Sequence, residues 1–230
     1  MSRIQRAFVS LMVIGVVVAA AQAAQPARRS GRGRGGSSRS SLTGLVSMEQ
    51  VQKDLGLNAD QIAKVKKVTD TLNAESRKQR AALREKITDR AKRAPKEAEL
   101  RDLFDKKARE QLSPILGRDK LIRLYQIRLQ VRPTLDSLDS KFVAERLKIT
   151  ADQKKKFAAI NKDMQAKRTA LFASMRNATQ EQRSAAYAKY RKMREETDKQ
   201  VLAVLTAAQK KAFEELKGKK ITLTRPARTR

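Results

Sequence analysis

The sequence contains no cysteine, histidine or tryptophan, and only 4% of its residues are aromatic. Without cysteine the chain can form no disulfide and has no thiol nucleophile. Without histidine it lacks the usual general base near neutral pH, and most zinc, copper and iron sites need imidazole or thiolate ligands. No phosphate-binding glycine loop or catalytic carboxylate pair replaces these groups. We therefore expect no enzyme activity, no cofactor and no metal ion.

Glycine and proline are also scarce, with 9 and 5 residues among 230, while charged residues make up 33% of the chain. Apolar residues recur at helical spacing, and no stretch alternates β-branched with polar residues as a strand would. This composition predicts an all-α fold of extended amphipathic helices, in which each helix buries one apolar stripe.

The net charge of +29 is spread along the whole chain. Residues 1–45 carry +7, residues 46–132 carry +9 and residues 133–230 carry +13. A field of this sign attracts polyanions, anionic lipid and acidic proteins, but it does not choose among them.

Residues 1–23 have the pattern of a secretory signal peptide. Arg3 and Arg6 precede an apolar run over residues 7–18, and Ala21-Gln22-Ala23 is a small-x-small cleavage site. We expect cleavage between Ala23 and Ala24, a periplasmic or secreted protein, and no transmembrane segment after processing. The alternative is an uncleaved N-terminal membrane anchor.

Residues 24–44 are rich in Arg, Gly and Ser, and we expect them to form a disordered basic linker. Arg-Gly segments of this kind bind RNA loosely in other proteins. Because aromatic residues are missing here, a flexible tether is the favoured interpretation.

A helix-capping pattern recurs along the rest of the chain. In Thr150-x-x-Gln153, the threonine caps a helix and the glutamine returns a hydrogen bond to the cap. The copies with a polar cap are Leu57-Asn58-x-x-Gln61, Ile149-Thr150-x-x-Gln153 and Leu205-Thr206-x-x-Gln209, and a degraded one is Leu116-Gly117-x-x-Lys120. Offsets of 92 positions (57 to 149) and 89 positions (116 to 205) predict an internal duplication, with units at 45–132 and 133–218 and a frayed basic tail at 219–230. The alternative is a set of unrelated helix starts.

Local signals predict the helix boundaries. We expect a short helix over residues 48–55, a long helix from Ala59 to about Arg93 that Pro95 breaks, and a helix start at Ser113-Pro114. Apolar spacing predicts core positions in both units: Leu83, Leu103, Phe142, Met164, Met175, Tyr190 and Phe213.

The capping motif resembles the LTxxQ motif of the Spy/CpxP family of periplasmic proteins, which Leu205-Thr206-x-x-Gln209 matches in full. The resemblance implies an all-helical, cradle-shaped fold, ATP-independent chaperone activity or envelope-stress sensing, and frequent dimerisation. Family members typically carry two motifs, whereas this chain has four sites, so that one chain could supply what a homodimer supplies elsewhere. Metal-sensing relatives use histidine, which is absent here.

Function expectations follow from the charge, the export signal and this resemblance. The first is a chaperone that binds unfolded or acidic client proteins through a basic amphipathic surface. Its candidate contacts lie in two basic runs: Arg77, Lys78, Arg80 and Arg84, with Lys167 and Arg168. The alternatives are a helical protein that binds nucleic acid or another polyanion without sequence specificity, and a structural protein of the cell envelope.

Overall fold

The computed structural model describes residues 40–173, 175 and 178–223, without the side chain of Arg90. These residues form helices and connecting turns, with no strand among them, as the sequence predicted. In chain order the helices are α1 (Leu42–Val46), α2 (Glu49–Asp54), α3 (Ala59–Lys86), α4 (Arg90–Val131), α5 (Thr134–Leu138), α6 (Lys141–Arg146), α7 (Ala151–Ala173), α8 (Gln180–Val204) and α9 (Ala207–Lys217). No helix in this part of the chain is long and apolar enough to cross a membrane.

Helix α1 begins inside the segment predicted to be a disordered linker. Ser41 caps it by accepting a hydrogen bond from Gly44 N at 3.1 Å, and Leu42 and Leu45 are fully buried. The linker prediction is therefore wrong for its last residues, because two leucines provide enough apolar surface to order them. Residues 24–39 of that segment, the signal peptide and the cleavage site at Ala23 and Ala24 lie outside the described residues.

The break between α3 and α4 lies before Pro95 and not at it. Helix α3 ends at Lys86, and Asp89 caps α4 by accepting a hydrogen bond from Ala91 N at 2.7 Å. Pro95 lies inside α4. The predicted break at Pro95 is wrong because the aspartate cap starts the new helix before the proline is reached.

Helix α4 turns sharply at Gly117, which has φ 72° and ψ 175°. We call residues 90–116 α4a and residues 118–131 α4b. Arg128 in α4b forms an ion pair with Asp105 in α4a, whereas a straight helix would separate residues 23 positions apart by roughly 35 Å. The predicted start at Ser113-Pro114 is wrong, since the helix continues through both residues to the glycine, which adopts positive φ without a Cβ clash.

The helices fall into two series with the same order. A shift of 92 positions (59 to 151) carries the starts of α1, α2 and α3 onto those of α5, α6 and α7. A shift of 89 positions (116 to 205) carries the turn at Gly117 onto the α8–α9 junction. This correspondence favours the predicted duplication over a chance set of helix starts.

Two hydrophobic clusters lie along the chain. The first spans Leu42 to Ile127 and includes Val65, Leu112 and Leu124. The second spans Leu138 to Phe213 and includes Phe157 and Val201. Phe213 and Met164 are buried as predicted, whereas Met175 and Tyr190 are half-buried.

Two predicted core residues are exposed instead. Phe142 is 68% exposed because α6 turns Val143, Ala144 and Leu147 toward the second cluster. Leu103 is 43% exposed. It lies where α3 and α4a pack as a two-helix hairpin, so one side of each helix has no described neighbour.

The C-terminal segment after α9 is held against α4b. Arg123 Nη1 donates to the Lys219 carbonyl at 2.7 Å, and Ile221 N donates to Gln130 Oε1 at 3.0 Å. Ile221 and Leu223 pack on the first hydrophobic cluster. The predicted fraying is therefore wrong for residues 219–223, and residues 224–230 lie outside the described part.

Candidate functional site

The predicted motif residues meet in pairs at the helix junctions. In the first pair, Asn58 Oδ1 accepts from Gln61 N at 2.8 Å and completes the capping box of α3. Gln61 Nε2 reaches across to the Ile115 carbonyl at 2.8 Å. Lys120 Nζ, in the degraded copy, donates to Gln61 Oε1 at 2.9 Å and to the Gly56 carbonyl at 2.7 Å.

The second pair makes the corresponding contacts. Thr150 Oγ1 accepts from Gln153 N at 3.2 Å, and Thr206 Oγ1 accepts from Gln209 N at 3.2 Å. Gln153 Nε2 donates to the Val204 carbonyl at 3.0 Å. The two glutamine amides also bond each other, with N–O distances of 2.7 and 3.0 Å.

These contacts give the motif a structural role. The glutamine at its last position bonds its own helix cap and also a backbone carbonyl on the opposite junction, which clamps two junctions together. The apolar residues that open the motif, Leu57, Ile149 and Leu205, lie in or against the hydrophobic clusters. The motif side chains are therefore engaged in holding the helix junctions together.

An open apolar groove of about 390 Å³ lies between the end of α3 and the start of α4a. Its apolar lining comes from Ala82 and Leu83 on one helix and from Leu100 and Leu103 on the other. Lys86 and Lys96 stand beside these residues, and Lys96 Nζ pairs with Glu99 at 3.0 Å. The groove therefore combines apolar surface with ammonium groups.

None of the basic residues predicted from sequence lines this groove. Arg77, Lys78 and Arg84 are exposed on α3, Arg80 is half-buried, and Arg84 Nε lies 3.7 Å from Glu97 Oε1. On α7, Lys167 pairs with Asp163 at 2.7 Å and Arg168 donates to Gln165 Oε1 at 3.3 Å.

The residues that line the groove were missed as functional candidates. Leu83 and Leu103 repeat at helical spacing, so both were predicted to be core. Only the pairing of the two helices shows that their outer side is open. No signal in the sequence separates these leucines from buried ones.

Comparisons with models of protein families, with curated proteins and with solved structures found no match to this chain. The resemblance to the Spy/CpxP family therefore depends on the motif residues alone. No function can therefore be transferred to this chain by similarity.

An aromatic cluster joins α7 and α8 near their turn. The Phe172 ring lies 5.4 Å from the Tyr187 ring and 5.7 Å from the Tyr190 ring, centroid to centroid. Tyr187 remains 59% exposed in this arrangement. The hairpin of α7 and α8 therefore also presents exposed apolar surface near the turn between its two helices.

Three groups that lie on α4b, beside its end or in contact with it have shifted pKa values. A hydrogen bond from Arg123 is the main reason that the pKa of Asp54 is below its usual range. Burial raises the pKa of Tyr125 and lowers that of Arg132. Within the described residues, no group of three His, Cys, Asp or Glu side chains is placed to hold a metal ion.

Proposed function

We propose that the chain is an exported, ATP-independent chaperone or envelope-stress protein that binds partly unfolded clients. The observation that carries this proposal is the open groove between α3 and α4a, where leucine side chains stand beside lysines on a strongly basic protein. The predicted signal peptide and the motif resemblance support the cellular setting.

In the proposed client binding, charge speeds the encounter and apolar contact holds the bound segment. A net charge of +29 accelerates the encounter with acidic polypeptides over distances of about a Debye length. Exposed apolar surface then holds the client segment, since unfolded chains expose leucine, valine and aromatic side chains. Because the groove is open, binding should be weak and reversible, which allows release without nucleotide hydrolysis.

The test is light scattering of an aggregating acidic client with the purified protein, without nucleotide, at low and at physiological salt. We expect suppression of aggregation near a stoichiometric ratio at both salt concentrations. Leu103→Asp should lose most of this suppression, because it places a carboxylate in the apolar lining. Ile122→Asp is the matched control, since Ile122 is 48% exposed on α4b against 43% for Leu103.

Two outcomes would contradict the proposal. If suppression disappears at physiological salt, only charge acts, and non-specific binding of nucleic acid or another polyanion becomes the better interpretation. If both aspartate variants behave as the parent does, the groove takes no part in client binding.

A further inference from the structure

The aromatic cluster at the α7–α8 hairpin continues into a basic stripe. Arg183, Tyr187 and Arg191 follow each other at intervals of four residues on α8, which places them on one face of the helix. Arg168 precedes Phe172 by one turn on α7. The cluster and these arginines together form what we call the aromatic–arginine face: Arg168, Phe172, Arg183, Tyr187, Tyr190 and Arg191.

Positive charge predominates on this face, although Glu195 lies one turn beyond Arg191 on α8. Arg168, Arg183 and Arg191 form no ion pair with a described residue. Other cations of the chain are paired: Arg84, Arg93 and Lys96 each lie within 4.0 Å of a glutamate oxygen, and Lys167 on α7 lies 2.7 Å from Asp163. Arginines without an acidic partner beside exposed rings favour an external anion that also offers apolar surface.

We propose that the aromatic–arginine face binds the surface of an anionic phospholipid bilayer. Guanidinium groups bond phosphate oxygens in a bidentate manner. Tyrosine and phenylalanine rings partition into the interface between headgroups and acyl chains. The face supplies both components on adjacent turns, and an exposed ring near the end of a hairpin can reach a flat surface that a recessed groove cannot.

Single-stranded nucleic acid is the competing ligand, because it also combines phosphate with surfaces that stack on rings. The bilayer is favoured on two grounds. The Phe172 ring is inclined at 54° to the Tyr187 ring and at 69° to the Tyr190 ring, so these rings do not offer a row of parallel faces on which successive bases could stack. The predicted signal peptide would also direct the chain out of the compartment that holds nucleic acid.

The first experiment uses the absence of tryptophan from the chain. Tyr187→Trp introduces a single indole into the full-length protein, whose emission is followed with phosphatidylcholine vesicles, with or without phosphatidylglycerol. We expect a blue shift, and quenching by brominated acyl chains, only when phosphatidylglycerol is present. The matched control is Phe142→Trp, at another exposed ring position, where no change is expected.

The tryptophan must be placed at position 187, because the apolar run over residues 7–18 would bind a bilayer by itself and binding of the whole protein would not identify the face involved. Equal quenching at positions 142 and 187 would therefore contradict the proposal, as would equal quenching without phosphatidylglycerol. A change with a single-stranded oligonucleotide but none with vesicles would assign the face to nucleic acid instead.

The second experiment removes the charges. Each basic residue near an anionic bilayer raises the affinity for the bilayer roughly fivefold. Arg183→Gln combined with Arg191→Gln should therefore lower the vesicle affinity that the tryptophan probe reports by roughly 25-fold. Both arginines are exposed, so the fold should be kept, and this is checked by circular dichroism. Suppression of client aggregation should not change in this variant, which separates failure of this inference from failure of the proposed chaperone function. An unchanged vesicle response would overturn the inference.

Discussion

Lys148 adopts a backbone conformation that costs free energy for any residue with a Cβ atom. Its φ is 52°, and it follows the short helix α6. Gly56 occupies the corresponding position after α2, with φ 57°. The residue after each position donates a backbone hydrogen bond to the carbonyl five residues earlier. These bonds run from Leu57 N to Gln52 O at 3.0 Å and from Ile149 N to Ala144 O at 2.9 Å. The left-handed region is open to glycine, whereas lysine is disfavoured there by about 1 kcal/mol.

We therefore predict that Lys148→Gly raises the free energy of unfolding by about 1 kcal/mol and that Gly56→Lys lowers it by about the same amount. Urea denaturation followed by circular dichroism measures both changes. Lys148→Ala is the control, because it removes the charge and keeps the Cβ atom, and it should give no such gain. Stabilisation of equal size by alanine would attribute the effect to charge and not to backbone conformation.

The helix caps were predictable from the sequence because capping is a local interaction. Asn58, Thr150 and Thr206 each accept from the backbone N–H three residues on, as the spacing of their glutamines indicates. The second hydrogen bond of each glutamine, to the opposite junction, could not be predicted. Its partner lies 51 to 62 residues away along the chain, so it exists only once the helices have packed.

Among the helices, only one of the three described prolines marks a place where the chain turns, namely Pro133 between α4b and α5. Pro95 and Pro114 both lie inside α4. The turns occur at residues 87–89, where Asp89 supplies a cap, and at Gly117, where the backbone has positive φ. Tertiary contacts decide the second turn, since Lys120 reaches the carbonyl of Gly56 and Arg123 reaches Asp54 only if α4b folds back.

The ion pair between α2 and α4b makes this packing depend on pH. Arg123 Nε and Nη2 donate to the two oxygens of Asp54 at 2.6 and 3.0 Å, and both side chains are less than one-fifth exposed. This hydrogen bonding lowers the pKa of Asp54 below its unfolded value. The contribution of this ion pair to the free energy of unfolding is therefore fully present above the unfolded pKa of Asp54, near 4. It is lost as the pH falls through the folded pKa of Asp54.

We predict that Asp54→Asn lowers the free energy of unfolding by about 1–2 kcal/mol at about pH 7, and that the difference from the parent shrinks as the pH falls below about 4. Chemical denaturation across this pH range measures the difference. Asp70→Asn provides the comparison, because Asp70 pairs with Lys66 on the exposed surface of α3 and should cost less than about 0.5 kcal/mol. A loss at Asp54 that is independent of pH would exclude the ion pair as its cause.

For the whole molecule, the internal correspondence of helices is the main organising feature. Val51, Leu55 and Val65 are buried in the first cluster, and Val143, Leu147 and Phe157, 92 positions later (51 to 143), are buried in the second. The sequence allowed this correspondence to be predicted from the capping motif. The sequence did not allow us to predict that residues 221 and 223, beyond α9, pack on the first cluster. Two apolar residues in a basic tail give no periodic signal.

The returning segment should contribute to the stability of the whole unit. Ile221 and Leu223 are half-buried on the first cluster, and Gln130 donates to the carbonyls of Lys217 and Lys219 at 2.7 and 2.8 Å. Burying about half of each aliphatic side chain stabilises the fold by about 1 kcal/mol per residue. The segment therefore connects the end of the second series of helices to the core of the first.

A pair of truncations tests this connection, one ending at Lys220 and the other at Leu223. Both lack residues 224–230, so their difference isolates residues 221–223. We predict that the shorter protein unfolds with a free energy lower by about 2 kcal/mol, because it loses two apolar contacts and the hydrogen bond from Ile221 N to Gln130. Thermal and urea unfolding measure the difference. Equal stability would mean that the first cluster is complete without this segment.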